Sequence, residues 1–393
     1  MPSKFCAAPF LHSFVSTHGK KFLCCWATRW SYDDRWSNDT DFDLEDWEGQ
    51  DYQKIREHML EGAGWLPACG ECKQLEDLGQ QSLRQWFDQV WEENGKPSLN
   101  VVNGNSFGVP ISYDLRFNNL CNLSCRMCMP ESSSQLAKEA ERHPDIWPNW
   151  QEHSEEFKVA LSSDKDIEWI LEEAQFVRVL KILGGEPTLQ PQAKQLLQKL
   201  IDVGNTNIDL KITTNGTNVN KEFYDLITQF KNVRVGVSID THPDRLAYIR
   251  GGANGKKIWE NIQKISELSW ADQYHISTTQ VIVPYNVFDF WELGQLAYET
   301  PWIDQHYSEV VYEPFYQSIV YMPEKWKQKA IDIAKENECY EDEIHIFNAM
   351  MSHDENIELM KQLKSHTQLT DFARNKYLKD YHPICYEMLE EIE

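Results

Sequence analysis

The chain has 393 residues, of which 41% are hydrophobic and 25% are charged, a composition typical of globular proteins and not of disordered or collagen-like ones. Its 38 Lys and Arg residues against 62 Asp and Glu residues give a net charge of −24, which disfavours general binding to nucleic acids or anionic membranes. No run approaches the roughly 18 apolar residues of a membrane span, and the first residues lack a signal-peptide core. We therefore expect a cytoplasmic protein with reduced thiols.

The first hundred residues are rich in tryptophan, acidic residues and cysteine. Segment 10–23 predicts two short strands around a turn, and apolar residues at helical spacing predict helices at 51–61 and 82–93. Residues 94–97, which read Asn-Gly-Lys-Pro, predict a break after the second helix and a linker.

From residue 111 the pattern changes to alternating strands and helices, which predicts parallel strands joined by right-handed crossovers. The predicted strands are 111–117, 177–183, 208–214, 233–239, 275–283 and 309–312. The predicted helices lie near 164–175, 190–203, 220–231, 256–268 and 286–299. Six such units are too few for an eight-stranded barrel, so we predict an α/β fold with an open or partial barrel. Segment 143–157 reads as an insertion, and the chain beyond 323 as helical.

Eight of the ten cysteines lie in the first 128 residues, and clustered reduced thiols favour a metal or redox site over disulfides. Cys121, Cys125 and Cys128 follow the first strand of the barrel at C-x3-C-x2-C spacing. Three thiolates on one loop can bind a cubane iron–sulfur cluster and leave its fourth iron open. A structural zinc ion is the alternative, although it prefers four closed ligands. Cys339 and Cys385 are expected to be ordinary buried thiols.

This loop after the first strand resembles the signature of the radical S-adenosylmethionine (SAM) superfamily. The resemblance covers residues 111–320 and implies a partial (β/α)6 barrel with a [4Fe–4S] cluster on the three cysteines. It implies that the open iron chelates SAM, and that an electron from the reduced cluster cleaves the sulfonium to a 5′-deoxyadenosyl radical. That radical abstracts hydrogen from the substrate. A reductant such as flavodoxin or ferredoxin is the implied partner.

Later motifs match the same family in order. Gly184, Gly185 and Glu186 follow the second strand and resemble the motif that holds the SAM amino group, although such a sequence can also be an ordinary turn. Asn215 ends the third strand, where a polar side chain can line a site. A turn-forming Asn-Gly is the alternative for that residue.

The remaining expected SAM contacts lie further along the barrel. Alternation places Ser238 and Asp240 on one face, where they suit a ribose. The resemblance pairs Arg250 with the SAM carboxylate, as a planar guanidinium clamp, and a surface arginine is the alternative. Ile282 is expected to pack on the adenine, although core packing explains it equally well. The cysteine-loop residue Met127 is also assigned to the cofactor.

A second thiol set comprises Cys6, Cys24, Cys69 and Cys72. It resembles the twitch module, a short relative of the SPASM domain, and thus implies an auxiliary [4Fe–4S] cluster with four protein ligands. Unusually, the module precedes the barrel. Zinc would also suit four thiolates. Cys25 adjoins Cys24 and could compete as a ligand, but adjacent strand residues point to opposite faces, so we expect Cys25 to face away.

The expected domains are a twitch/SPASM-like module at 1–100, the radical SAM barrel at 101–320 and a helical extension at 321–393. The leading hypothesis is a radical SAM enzyme that acts on a peptide or protein side chain. A radical SAM enzyme for a small molecule is the first alternative, and a non-catalytic iron–sulfur or zinc-binding protein is the second. No residue is identified from the sequence as the acid, base or hydrogen donor.

Overall fold

The structure is a computed structural model that describes residues 4–17, 19–27, 44, 46–62, 64–77, 79, 81–95, 108–148, 150, 167–268, 274–339 and 343–393. Parts of the predicted linker (94–97) and of the predicted insertion (143–157) lie outside these residues. The chain divides into two compact units. Unit 1 comprises Met1–Asn118, Ala160–Gly184 and Pro191–Lys211, and unit 2 comprises Asn119–Val159, Gly185–Gln190 and Ile212–Glu393.

The strands of the described residues are numbered here in chain order. They are β1 (His12–Val15), β2 (Lys21–Phe22), β3 (Ser112–Leu115), β4 (Ser124–Cys125), β5 (Val179–Ile182), β6 (Asp209–Thr214), β7 (Asn232–Ser238), β8 (Arg250–Gly251), β9 (Tyr274–Ile282) and β10 (Gln305–Val310). All six predicted barrel strands are confirmed, as β3, β5, β6, β7, β9 and β10. The last of them begins four residues before its predicted start.

In unit 1 the strand order is β5–β3–β1–β2. Strand β3 pairs in parallel with β1, where Ser112 faces His12, and with β5, where Ser112 faces Val179. The predicted N-terminal hairpin is confirmed, because β1 pairs antiparallel with β2. Strand β1 thus extends the sheet at β3, a long-range pairing that the hairpin pattern alone does not reveal.

In unit 2, β9 pairs in parallel with both β7 and β10. Strands β4 and β8 form a separate antiparallel pair. The residues of β6 are divided between the two units. Parallel strands with helices between them confirm the α/β class and the partial-barrel architecture.

The helices follow the predicted alternation. Those of unit 1 are Ala8–Leu11, Gln50–Glu61, Gly70–Asp77, Leu83–Glu93, Glu168–Glu173 and Pro191–Asp202. Those of unit 2 are Ser134–Arg142, Lys221–Ile227, Leu246–Ile249, Gly255–Ser266, Trp291–Tyr298, Glu324–Glu336, Ile344–Met350, Ile357–Arg374, Leu378–Tyr381 and Pro383–Glu390. Helix Leu83–Glu93 begins where it does because Ser82 and Gln85 form a reciprocal capping box.

The C-terminal helices share an apolar core of unit 2. Trp326, Leu363 and Met388 pack in one buried cluster with Ile282 at the end of β9. Each such side chain contributes on the order of 1.5–3 kcal/mol when it is fully buried. The predicted helical extension is therefore packed into the core of unit 2. Among the described residues, no helix is long and apolar enough to cross a membrane.

Candidate functional site

The three cysteines of the barrel loop lie close together. Burial raises the pKa of the Cys128 thiol, and the neighbouring Cys125 and Cys121 raise it further. Burial also raises the pKa of Cys125 to about 11, while the Arg250 guanidinium opposes that rise. A cation beside buried thiols favours the thiolate form, which is the form that binds metal. The donor set therefore fits an iron–sulfur cluster.

Pairing of the short strands β4 and β8 holds this loop in place. Cys125 lies opposite Arg250, and Ser124 lies opposite Gly251. A side chain at Gly251 would place its Cβ 2.5 Å from the Ser124 hydroxyl oxygen, so the close approach of the two strands requires glycine. Cys125 and Arg250, predicted as ligand and clamp from separate motifs, are thus direct neighbours.

Glu186 and Asn215 also meet the cysteine loop. The Asn215 amide donates to the Cys121 sulfur at 3.8 Å and to the Asn122 side chain at 2.9 Å. The backbone N–H of Glu186 donates to the Leu120 carbonyl at 2.8 Å. Both residues therefore lie beside the first cysteine of the loop, and their roles toward SAM stay predictions.

The Glu186 carboxylate is already fully engaged within the protein. It accepts hydrogen bonds from the Thr188 N–H and hydroxyl at 3.1 and 2.7 Å, from the Thr214 hydroxyl at 2.7 Å and from the Asn215 N–H at 2.7 Å. Burial raises its pKa and these hydrogen bonds oppose the rise. Three of these bonds reach Oε1 and one reaches Oε2, so this side chain organises the turn.

The preceding glycines are needed for that turn. Gly184 and Gly185 have φ angles of 78° and 56°, in the left-handed region that side chains disfavour.

Asp240 and Arg250, predicted to contact different parts of SAM, bind each other. The Arg250 Nε donates to the Asp240 carboxylate at 2.5 Å, and both residues are buried. The second oxygen of Asp240 accepts from the Val281 N–H at 3.0 Å. Burial alone would lower the pKa of Arg250, and Asp240 together with Cys125 raises it above the usual value. Arg250 is thus held charged and oriented beside the thiols.

The other predicted contacts are placed by strand register. Ser238 faces Thr279 across the β7–β9 pair, so alternation puts Val281 on that same face and Ile282 on the opposite one. Ile282 is fully buried in the unit 2 core, and Met127 packs against that core. The roles of these residues toward SAM stay predictions.

Sequence reasoning missed Arg126, which lies between two of the cysteines. Its guanidinium is buried over the Tyr248 ring at 3.9 Å and donates to Asp371 at 2.5 Å and to the Tyr248 carbonyl at 2.9 Å. Its carbonyl accepts from Gln317 at 2.7 Å. A buried ion pair to the C-terminal helix Ile357–Arg374 therefore holds the cysteine loop. The sequence does show an arginine between two of the motif cysteines. Motif spacing cannot reveal its partner, Asp371, which is 245 residues away.

The four N-terminal thiols line one cavity of about 520 Å³, counting its open mouth. They are Cys6, Cys24, Cys69 and Cys72. Other lining residues are mostly apolar and include Ala8, Leu23, Met59, Leu66 and Phe87. Burial raises the pKa of Cys69 to about 12, with Cys72 the next cause. The structure thus brings together the four residues that the sequence grouped from three separate segments.

Arg84, a further residue not identified from the sequence, joins the segment of Cys6 to that of Cys69 and Cys72. It donates to Glu76 at 2.8 Å, to Asp88 at 2.9 Å and to the Phe5 carbonyl at 2.7 Å. Asp88 in turn accepts from the Ala7 N–H at 3.0 Å. Arg84 also lines the cavity and lowers the pKa of Cys72 against the larger effect of burial. Lys4 lines the same cavity, so two positive charges accompany the four thiols.

Cys25 has different neighbours from Cys24. Burial raises the pKa of Cys25, Asp114 raises it further, and Lys181 and Arg116 oppose this. Cys24 instead lies near Cys6, Cys69 and Cys72. None of the ten cysteines, all of which lie in the described part of the chain, forms a disulfide bond. Within the described part of the chain, no three His, Cys, Asp or Glu side chains form a ready site for one metal ion.

The parallel strands and intervening helices define a class, an α/β protein built on a partial barrel with a loop of three thiols. More specifically, residues 115–297 match the model of the Radical SAM superfamily. That segment of the chain is therefore a radical SAM domain, and members of the superfamily are enzymes.

Curated relatives share this domain at modest identity. The sporulation killing factor maturation protein SkfB of Bacillus subtilis is 28% identical over 188 residues, which are 46% of this chain and 39% of that protein. A GTP 3′,8-cyclase of Alkaliphilus metalliredigens is 26% identical over 195 residues, which are 49% of this chain and 54% of that protein. The chain thus spans about half or less of the length of these two relatives.

Solved structures resemble the chain distantly. Streptococcus suis SuiB bound to S-adenosylmethionine matches with a TM-score of 0.39 and 16% identity, over 79% of this chain and 64% of that one. Native anSMEcpe with bound AdoMet and the Cp18Cys peptide matches with a TM-score of 0.38 and 16% identity, over 62% of each chain. Likenesses this distant do not define a function.

Proposed function

We propose that Cys121, Cys125 and Cys128 bind a [4Fe–4S] cluster whose fourth iron takes SAM, and that the protein is a radical SAM enzyme. The observation that carries this proposal is the meeting of the three thiols with Glu186, Asn215 and Arg250 inside a radical SAM domain. When bound, the two cofactors supply one-electron cleavage of the sulfonium and abstraction of a substrate hydrogen atom.

The chain's own residues position and shield these groups. Asn215 donates to the Cys121 sulfur, which stabilises the thiolate. Arg250, fixed by Asp240, keeps a positive charge beside the thiols and is the proposed partner of the SAM carboxylate. The backbone of Gly184 and Gly185, together with Ser238, Asp240, Ile282 and Met127, completes the proposed SAM site.

The four N-terminal thiols are proposed to hold an auxiliary [4Fe–4S] cluster in a twitch-like module at 1–100. Their common cavity and the accompanying charge of Arg84 support this. With one protein thiolate on each iron, such a cluster would have no open position, and its role would be electron transfer or structure. A zinc ion is the competing occupant.

The proposed substrate is a peptide or protein side chain in the cytoplasm, with a flavodoxin or ferredoxin as the reductant. Support comes from the relative named for the maturation of sporulation killing factor. A small-molecule substrate is the second candidate, and the relative named GTP 3′,8-cyclase favours it.

The test uses anaerobically purified protein, SAM and a chemical reductant. The Cys121→Ala, Cys125→Ala, Cys128→Ala triple variant should lose about four irons and all 5′-deoxyadenosine formation. Cys339→Ala is the matched control, because Cys339 lies outside both thiol sets, and it should keep both properties. Unchanged iron content in the triple variant would falsify the cluster assignment. Mass spectrometry of candidate peptides and nucleotides then distinguishes the two substrate classes.

A further inference from the structure

Three charged side chains that belong to neither thiol set meet on one face of the unit 1 sheet, with Cys25 as a neighbour. The register of the parallel strands places Phe14 opposite Asp114 and Asp114 opposite Lys181. Partners in adjacent strands lie about 4.8 Å apart and point to the same face. Arg116, two residues after Asp114, reaches the same carboxylate. The Phe14 ring, the Asp114 carboxylate and the Lys181 amine thus form a row across β1, β3 and β5.

These charges approach one another without forming hydrogen bonds. The Asp114 carboxylate lies 3.8 Å from the Arg116 Nε and 3.7 Å from the Lys181 Nζ. The Asp114 side chain is only 6% exposed, yet its Oδ1 has no hydrogen-bond partner among the described residues, and neither has the buried Nε of Arg116. Buried polar groups are almost always paired, because an unmade hydrogen bond costs on the order of 1–3 kcal/mol. One buried acceptor and one buried donor therefore lack a partner within the described part of the chain.

Arg116 is held in position by its surroundings. Its guanidinium lies 4.7 Å from the centroid of the Phe14 ring. On the other side, a Cβ at Gly184 would come within 2.5 Å of the Arg116 Cβ, so only glycine leaves room for this side chain. A planar donor group that is already oriented loses little conformational entropy when it binds a ligand.

The charge balance indicates what kind of ligand fits. Two cations face one carboxylate, so this row is locally positive in a protein with a net charge of −24. The Arg116 and Lys181 side chains are 29% and 39% exposed, and an incoming group can reach them. A carboxylate can accept hydrogen bonds from both cations, while a neighbouring N–H donates to Asp114. An acidic residue of a peptide carries both of these groups, a side-chain carboxylate and an adjacent backbone N–H.

We propose that Asp114, Arg116 and Lys181 form a binding site for an acidic residue of a peptide substrate. Arg116 and Lys181 bind its side-chain carboxylate, and Asp114 accepts the adjacent backbone N–H. This inference rests on the proposed function only in taking a peptide as the substrate. The site itself was not identified from any motif.

The experiment is a binding measurement that involves no SAM chemistry. Saturation-transfer NMR on the anaerobically purified protein compares two probes, the methylamides of N-acetyl-Ala-Asp and N-acetyl-Ala-Asn. The aspartyl probe should bind at least about tenfold more tightly, since it makes charge-assisted hydrogen bonds that the asparaginyl probe lacks. Arg116→Gln and Lys181→Gln should each remove this preference. Asp114→Ala should weaken the binding of both probes equally, because both carry the backbone N–H.

Lys73→Gln is the matched control, since it removes an exposed lysine paired with Asp77 and should leave the preference intact. If the Arg116→Gln variant fails to fold, the Lys181→Gln variant alone tests the site. Lys181 is partly exposed, so its replacement should not prevent folding. Equal affinities of the two probes for the wild-type protein would overturn the site, and so would a preference that survives Lys181→Gln. Absence of SAM cleavage by the wild-type protein would instead overturn the proposed function and leave this binding result standing.

Discussion

The two thiol sets differ in how the chain brings their members together. Cys121, Cys125 and Cys128 lie on one short loop, yet distant residues hold that loop, since Arg126 pairs with Asp371. Cys6, Cys24, Cys69 and Cys72 come from three separate segments, and one residue, Arg84, joins the segment of Cys6 to that of Cys69 and Cys72. The closely spaced cysteines of the loop can be recognised from the sequence, but residues far along the chain hold that loop in place. The four dispersed cysteines come together only when the N-terminal segments fold.

The number of thiols sets a second difference. Three thiolates leave one iron of a cubane cluster open to a ligand, and four leave none. In the proposed assignment the open position lies at the loop where Arg250 and Asn215 also lie, which suits a reactive site. The set of four lies in a mostly apolar cavity, which suits structure or electron transfer.

The largest expected effect separates the two sets by metal content. The Cys69→Ala, Cys72→Ala double variant should lose about half of the iron, because only one of two clusters can then form. It should still form 5′-deoxyadenosine with SAM and reductant, while turnover of the true substrate falls strongly. Iron analysis and chromatography of the nucleoside measure this. Loss of SAM cleavage in the double variant would show that the two sets do not act separately.

The next prediction tests the remote support of the barrel loop. Asp371→Ala leaves the buried Arg126 guanidinium without its anionic partner, which should lower the free energy of unfolding by about 3–5 kcal/mol. The weakened loop should also retain less iron. Denaturant unfolding of the anaerobic protein measures the first effect.

Asp380→Asn is the control for Asp371→Ala, because Asp380 is exposed on a neighbouring helix of the same unit. It should change the unfolding free energy by less than about 0.5 kcal/mol. Equal stability of the two variants would show that the Arg126–Asp371 pair does not hold the loop.

A smaller effect on SAM binding is expected for Arg250, the proposed partner of the SAM carboxylate. Arg250→Lys replaces a planar group with a point charge that cannot bind Asp240 and a SAM carboxylate in the same way. SAM affinity should fall roughly ten- to hundredfold, which corresponds to about 1.5–3 kcal/mol. Calorimetry on the cluster-containing protein measures this, with Lys257→Gln, an exposed site, as the control. An unaltered dissociation constant would remove Arg250 from the SAM site.

Local patterns predicted much of the fold. Alternation of strands and helices identified the six barrel strands, and the hairpin and both N-terminal helices were confirmed. Long-range pairings were not predictable in this way. The pairing of β1 with β3 joins residues 100 positions apart, such as His12 and Ser112, and no local periodicity encodes it.

In the candidate site, too, local features were predicted and long-range contacts were not. The motifs identified the thiol loop, Glu186 and Asn215, because each is local and follows a strand. They assigned Asp240 and Arg250 to different parts of the cofactor, although the folded chain pairs these two residues with each other. The partner of Arg126 and the row of Asp114 and Lys181 could not be identified, since both depend on which strands and helices become neighbours in space.

The central claim is that seven thiols hold two iron–sulfur clusters, of which one is open to SAM. Electron paramagnetic resonance of the reduced, anaerobically purified protein, with metal analysis of the same sample, tests it most directly. The account predicts about eight irons per chain and two cluster signals, of which SAM shifts only one. That SAM-sensitive signal should be absent from the Cys121→Ala, Cys125→Ala, Cys128→Ala variant. Stoichiometric zinc with only about four irons, or a spectrum that SAM leaves unchanged, would contradict the claim.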